Sequence, residues 1–292
     1  MPVYNRSAYV ADAIESILTQ TYKQFELLIV DDHSTDNSWS IIKNYQKHYP
    51  LLIKAFRLKK NLGGGGSKAI NFGFKKTKAK FIALMDSDDI SHPQRLEKQI
   101  HYLLKHPSVI ILGSQVNIIN HAGTLTGKKK LPLNHKQIYK QFSIIHPIVP
   151  PSCIIRKNLL PTAKKLYQIR FGLDDDYYNS FRLLNYGKFA NLKEYLLDYR
   201  IHSNNCSFHH LKKNFFNTLK IRFIAVKQLH YRPPLQSFFL IPAQILTALL
   251  IPEKFIFTFY MLVRNNYSLN YLTQQIFKKI NYNSLKPVKN LS

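Results

Sequence analysis

The sequence predicts an α/β fold: a mostly parallel sheet flanked by helices, followed by a basic and apolar helical C-terminal appendage. Three observations carry that prediction. Helical and strand patterns alternate through the first part of the 292 residues, and such alternation argues for a parallel sheet covered by helices. Two apolar runs end abruptly in carboxylates, at Asp31-Asp32 and at Asp86-Ser87-Asp88-Asp89. Beyond Asp198 the only acid is Glu253, while Lys and Arg recur among long apolar stretches.

Residues 8–20 set Val10, Ile14, Ile17 and Leu18 on one helical face. Residues 25–30 form a continuous apolar strand, and residues 34–49 a helix with Trp39, Ile42 and Tyr45 turned inward. A strand over 53–58, a glycine loop over 61–66 and a short helix over 67–76 follow. The run from Phe81 is a strand, because aliphatic and aromatic residues suit a pleated, half-buried surface. Residues 92–106 are an amphipathic helix through Leu96, Ile100, Leu103 and Leu104, and 109–119 are another strand. From about His121 the pattern loosens, and 127–130 is expected as an exposed loop. Residues 174–184 are helical, opening on Asp174-Asp175-Asp176, and 189–201 lead into His202. Residues 238–252 are apolar without a charge, and 255–263 resume after Pro252-Glu253-Lys254. A spanning helix needs roughly 20 apolar residues, which neither run supplies. Interfacial or re-entrant helices fit these runs, and a plain packed helix pair is the alternative.

Composition narrows the function classes. Lys and Arg number 42 against 16 Asp and Glu, a net charge of +26. Such a surplus attracts anionic lipid or nucleic acid. No recognised nucleic-acid motif accompanies it, and the interleaved apolar runs favour an anionic membrane surface over nucleic acid. Cys153 and Cys206 are far apart and suggest neither a disulfide framework nor a Cys-rich zinc site, which implies a reducing compartment. No secretory leader pattern opens the sequence.

In a chain this poor in acids, Asp86, Asp88 and Asp89 stand out. Like charges packed together cost free energy unless a cation offsets them. Hard divalent ions prefer oxygen ligands and bridge them to phosphates. Ligands of α/β sheets bind at the carboxyl ends of strands, where both acidic groups sit. An acidic turn capping the helix after His92-Pro93 is the plainer reading, and the two are compatible. Acids at the start of the 174–184 helix complement its dipole, so capping and catalysis both stay open there. The glycine loop is neither a P-loop, since Gly66-Ser67-Lys68 has the wrong order, nor a dinucleotide fingerprint, since Lys68 takes the last glycine place. Its glycines still let backbone approach a ligand, with Lys68 facing phosphate.

Taken in order, several segments resemble family 2 glycosyltransferases of the GT-A fold, the Rossmann-like class of bacterial surface-polysaccharide and lipopolysaccharide assembly. They are Met1-Pro2-Val3-Tyr4-Asn5, Leu28 through Asp36, Asn61-Leu62-Gly63, Ser67 through Gly73, and Met85 through Ile90 before Pro93-Gln94-Arg95-Leu96. Weaker matches are Pro151-Ser152, Arg156-Lys157, Asp175-Asp176 and Tyr199-Arg200-Ile201-His202. Family members carry an apolar first strand before Met-Pro-Val-Tyr-Asn, which is nearly absent here. The expectation is that the natural product starts upstream or is a weakly stable relative. The late acidic motif is commonly Glu-Asp, and here it is three aspartates.

The resemblance implies a hexosyltransferase-type enzyme that moves a sugar, with inversion, from a nucleotide-sugar donor to a glycan or lipid-linked acceptor. It assigns residues 1–207 to the transferase domain, the nucleotide-sugar part to about 1–120 and the acceptor part to about 121–207. Residues 208–292 are a helical, membrane-associated region, on the inner face of the cytoplasmic membrane. Pro2, Tyr4, Asp31, Asp32, Lys68 and Asp86 would hold the nucleotide. Within the Asp-x-Asp motif Asp88, helped by His202, would bind Mg2+ or Mn2+. Asp176, or else Asp175, would be the general base. The alternatives are a GT-A-like nucleotidyltransferase, an inactive truncated relative, and a basic nucleic-acid-binding protein.

Overall fold

A computed structural model describes residues 1–160, 165–202 and 211–250. The first part follows the sequence pattern closely. It runs β1 (Pro2–Val3), α1 (Val10–Leu18), β2 (Leu27–Asp31), α2 (Ser38–His48), β3 (Ile53–Arg57), α3 (Ser67–Lys76) and β4 (Phe81–Ala83). β2 pairs in parallel with β1 on one side and β3 on the other. Val10, Ala13, Ile14 and Ile17 of α1 and Ile42 of α2 bury against Ile29 and Ile53. Burying such side chains supplies about 1.5–3 kcal/mol each. Trp39 and Tyr45, expected inward on α2, are only partly buried at the margin of this core.

The second part is a mixed sheet built from β4, β5 (Ile90–Ser91), β6 (Val109–Ile119), β7 (Leu125–Lys129), β8 (Ile154–Arg156) and β9 (Lys188–Arg200). Its order is β4-β8-β6-β9-β5, with β7 on β6. Only β6–β9 is parallel there; the β4, β5, β7 and β8 pairings are antiparallel. The α/β class holds, with parallel pairing in β1–β3 and between β6 and β9. The helices around this sheet are α4 (Arg95–Lys105), α5 (His135–Gln141), α6 (Asp175–Leu183), α7 (Leu211–Gln228) and α8 (Ser237–Leu250).

One expectation changes. Residues 127–130 are not a free loop, because 127–129 belong to β7. The Asn120 side chain accepts from the backbone N–H of Ala122 and Thr124 and closes a tight turn through Gly123, whose φ is +81°. That turn returns Leu125 and Gly127 to Ile119 and Ile118. The expected boundary at residue 207 lies outside the described residues, and helix α7 beyond it packs on the core of the part before it. Ile221, Ile224 and Ala225 of α7 and Tyr231 share one buried cluster with Phe142, Tyr177, Phe181 and Phe189. The apolar run 255–263 lies outside the described residues.

Candidate active site

A cleft of about 620 Å³ opens over the carboxyl ends of β1, β2 and β4, closed on the far side by residues from β6 and the start of α6. That volume lies within the usual range for ligand sites, about 300–1,000 Å³. Of the residues expected from the sequence, Pro2, Tyr4, Asp32, Asp86, Asp88 and Asp176 line it. Asp31, Lys68, Asp175 and His202 do not.

Three doubled acids explain that split. In each pair one carboxylate turns to backbone N–H groups and its neighbour faces the cleft. Asp31 is fully buried, accepts from Ser34 N at 3.2 Å and pairs with Arg57 Nε at 3.2 Å. Direct contact of Asp31 with the nucleoside is the expectation; the structure turns its carboxylate to the backbone after β2, outside the cleft lining. Asp32 faces the cleft and accepts from Leu62 N at 2.9 Å, so it also anchors the glycine loop. Burial raises its pKa above the ordinary value.

Asp88 and Asp89 divide in the same way. Asp89 is buried, and its Oδ1 accepts from Arg200 N at 2.8 Å. Burial, with Asp88 and Asp86 beside it, raises the Asp89 pKa well above the usual carboxylate range. Among the described residues, its Oδ2 has no hydrogen-bond partner. Asp88 Oδ2 receives Arg6 Nε and His202 Nε2, each at 3.0 Å. Burial alone would raise the Asp88 pKa, but the His202 bond and the Arg6 charge outweigh it and keep the group ionised. Asp86 faces the cleft with a pKa pushed up to about 7, by burial and then by Asp88. Two buried side chains brace this loop: Arg95 donates to Leu84 O at 2.7 Å, and Arg200 Nε to Asp88 O at 2.8 Å.

At α6, Asp175 is buried, and its Oδ1 accepts from Arg170 N at 2.8 Å and Phe171 N at 2.7 Å. This alternative candidate base ties down the preceding loop and does not line the cleft. Asp176 opens into the cleft, with its pKa raised to about 7 by burial and by Asp174, Asp86 and Asp175. A general base works best with a pKa near the working pH.

The glycine loop forms one wall. Gly63 to Gly66 all have positive φ, and a Cβ on Gly66 would sit 3.2 Å from Pro2. Only glycine meets both demands there. Lys68, expected to face phosphate, instead donates to Leu62 O at 2.6 Å and tethers this loop. His202 is buried behind Asp88 and stacks on Tyr9, with ring centroids 4.8 Å apart.

The carboxylates suit a divalent cation. Asp86, Asp88 and Asp89 bring oxygens within 4.8 Å of one another. Hard oxygen donors of this kind fit Mg2+ or Mn2+. Asp86 and Asp88 are the two that face the cleft, and His202 touches Asp88.

Sequence reasoning gave no site role to Arg6, Lys129, His146 and Tyr199, all of which line the cleft. His146 Nδ1 lies 3.8 Å from Asp176 Oδ2, and its Nε2 is 3.1 Å from Ser180 Oγ. Arg6 follows the Pro2-Val3-Tyr4-Asn5 segment directly and carried a weak signal by adjacency. Nothing local distinguishes His146 among 12 histidines.

Residues 1–161 match the family model described as Glycosyl transferase family 2, which covers more than half of the chain. The chain belongs to that family, and it has the GT-A fold. The O-antigen biosynthesis glycosyltransferase WbnJ of Escherichia coli is 34% identical over 206 residues, covering 70% of this chain and 78% of that one. A structure of S. aureus TarS in complex with UDP-GlcNAc superposes with a TM-score of 0.60 at 21% identity, over 78% of this chain and 65% of that one. The mannosyltransferase PcManGT from Pyrobaculum calidifontis, solved with GDP-Man and Mn2+, gives a TM-score of 0.56 at 13% identity, over 95% of this chain and 86% of that one.

Proposed function

We propose that this protein transfers a sugar from a nucleoside-diphosphate donor to a hydroxyl of a glycan or lipid-linked acceptor, with inversion, in cell-surface polysaccharide synthesis. The observation that carries the reading is the shared cleft. Asp86 and Asp88 face it from one element, and Asp176, tuned to about 7, faces it from another. Relatives solved with UDP-GlcNAc and GDP-Man support a nucleotide-sugar donor and leave its base and sugar open.

Residues 1–120 form the nucleotide-sugar part. Pro2, Tyr4 and Asp32 hold the nucleoside against the glycine loop, which Lys68 and Asp32 keep in shape. Asp86 and Asp88 hold a Mg2+ or Mn2+ ion, with His202 beside Asp88. An ion held by these two carboxylates would supply positive charge to offset that of the departing diphosphate. Residues 121–207 supply the acceptor side. The Asp176 carboxylate takes the acceptor hydroxyl proton as that oxygen attacks the anomeric carbon opposite the phosphate. The glycosidic bond forms, the carbon–oxygen bond to phosphate breaks, and the nucleoside diphosphate leaves. Residues 208–292 contribute a membrane-facing part at the cytoplasmic face. A nucleotidyltransferase would need no acceptor-side carboxylate, and Asp176 in the cleft favours transfer to a hydroxyl.

The test is a nucleotide-sugar screen that detects nucleoside diphosphate release with Mg2+ or Mn2+ and a lipid-linked acceptor pool. Release that depends on both acceptor and Asp176 supports the reading. Release of pyrophosphate, or no turnover of any donor, refutes it.

A further inference from the structure

Helices α7 and α8 expose a surface that the transferase chemistry does not use. α8 carries no charged residue from Ser237 to Leu250. Its inner side is held by Ser237, whose hydroxyl is 2.6 Å from Ser143 Oγ, and by Gln244, which meets Arg222 at 3.0 Å. Its outer side is an apolar stripe at helical spacing, with Phe239 75%, Leu246 57% and Leu250 70% exposed. On α7 the inner face packs in the core through Ile221, Ile224 and Ala225. The outer face places Lys213, Lys220 and Lys227 seven residues apart, with exposed Phe216 and Phe223 between them. A helix with lysines and phenylalanines on its exposed side is built to lie in a lipid interface.

We propose that this α7–α8 surface docks on an anionic bilayer and presents the acceptor side of the cleft to lipid-borne acceptors. Charge complementarity selects that occupant. From Tyr199 to Leu250 the sequence has no acid, so nothing there repels a negative surface. A second copy of this chain, at +26 overall, would instead bring like charge to the same face. No described helix is long and apolar enough to cross a membrane. Both helices are tied to the elements around the base. Asn217 of α7 donates to Asp174 Oδ2 at 2.6 Å, two residues before Asp176. Gln244 of α8 donates to Ile144 O at 3.3 Å, two residues before His146. The orientation of the acceptor side rests on the transferase reading; the docking itself does not.

The experiment is co-sedimentation of the full chain with vesicles of equal parts phosphatidylglycerol and phosphatidylcholine, against pure phosphatidylcholine. Binding to the anionic vesicles and little to the neutral ones is expected. Each surface lysine contributes about fivefold in affinity, so Lys213→Gln/Lys220→Gln/Lys227→Gln should weaken binding by roughly a hundredfold. Phe223→Ser/Leu246→Ser, both at exposed positions, should also release the protein while leaving donor binding and turnover of a water-soluble acceptor intact. Wild-type vesicle binding by both variants overturns the proposal. So does absence of binding by the full chain, self-association lost in the Phe223/Leu246 variant, or duplex DNA displacing the vesicles at physiological salt. Vesicle binding without any sugar transfer would leave the docking standing and refute the transferase reading instead.

Discussion

Replacing Asp176 by Asn should destroy transfer and stabilise the protein. Its carboxyl has a pKa of about 7 in the fold against an ordinary 3.8, chiefly through burial. A difference of roughly 3 units corresponds to about 4 kcal/mol at most. The side chain is still 34% exposed, so solvent screening reduces this to about 1–2 kcal/mol. The sign follows from the raised pKa. The folded state binds the proton more tightly, so the contribution is fully present below the ordinary value of 3.8 and is lost as pH rises to about 7. Asn cannot ionise and escapes that loss. Melting curves of the two proteins without donor should coincide near the acid end. They should diverge as pH rises and stay separated above neutrality, by roughly 2–8 °C in favour of the variant. Donor binding should persist, and transfer should fall about 10²–10⁴-fold. In the wild type, the transfer rate should decline as pH falls below about 7, because the base becomes protonated. A constant melting difference at every pH, or an Asn variant less stable at alkaline pH, would show that Asp176 is ionised without cost and that this account of its tuning is wrong. Retained transfer would remove it as the base.

Asp88→Asn should abolish transfer while the protein still folds, as should excess chelator acting on the wild type; undiminished nucleoside diphosphate release in either case rules out metal-dependent chemistry at Asp88. Asp175→Ala leaves the buried N–H groups of Arg170 and Phe171 without their acceptor, at roughly 2–4 kcal/mol in total, and should lower the melting temperature. Asp175→Asn, which keeps an acceptor oxygen, should retain transfer; if it is inactive while Asp176→Asn works, the base has been assigned one residue too late. Gly66→Ala forces a side chain onto a φ of +84° with Pro2 at 3.2 Å, at about 1–2 kcal/mol of backbone strain, and calorimetry should show weaker donor binding.

The elements of the first part were legible because two local signals coincide in each. The helix over 67–76 matches α3 residue for residue, since the glycines before it cannot belong to a helix interior and Thr77 after it is extended. The strand over 109–119 is likewise recovered, from the apolar residues at its two ends, Val109 to Leu112 and then Val116, Ile118 and Ile119, which flank the buried polar Ser114 and Gln115. β7 was illegible because Gly127-Lys128-Lys129 carries the composition of a loop. Its strand character comes from pairing with β6, and the Lys128 ammonium rests over Tyr195 at 5.2 Å. The burial of α7 was hidden for a related reason. A lysine-rich helix reads as solvated, yet its inner face reaches the aromatic cluster around Phe142 and Phe181. At the site, the acids were visible as residues out of place in a basic chain. Arg6 and His146 were not, because their significance lies in distances to Asp88 and Asp176 that span 82 and 30 positions of sequence.

What the sequence could not decide is which acid of each pair does chemistry, and the structure gives the physical reason. Adjacent side chains leave an extended backbone or a helix start in different directions, so only one of two neighbours can enter the cleft. The other points into the fold, where burying a carboxyl is tolerable only with donors to meet it. Ser34 N meets Asp31, Arg200 N meets Asp89, and the N–H groups of Arg170 and Phe171 meet Asp175. Each inward acid thereby fixes the backbone that presents its outward neighbour, which is how Asp32, Asp88 and Asp176 come to face one cleft from three separate elements. The order within a pair carries no rule: the inward member comes first at Asp31 and Asp175 and second at Asp89. A doubled aspartate at a strand or helix end therefore signals a built site without telling which carboxylate is offered, and the Asp175 and Asp176 variants are the direct measure of that division.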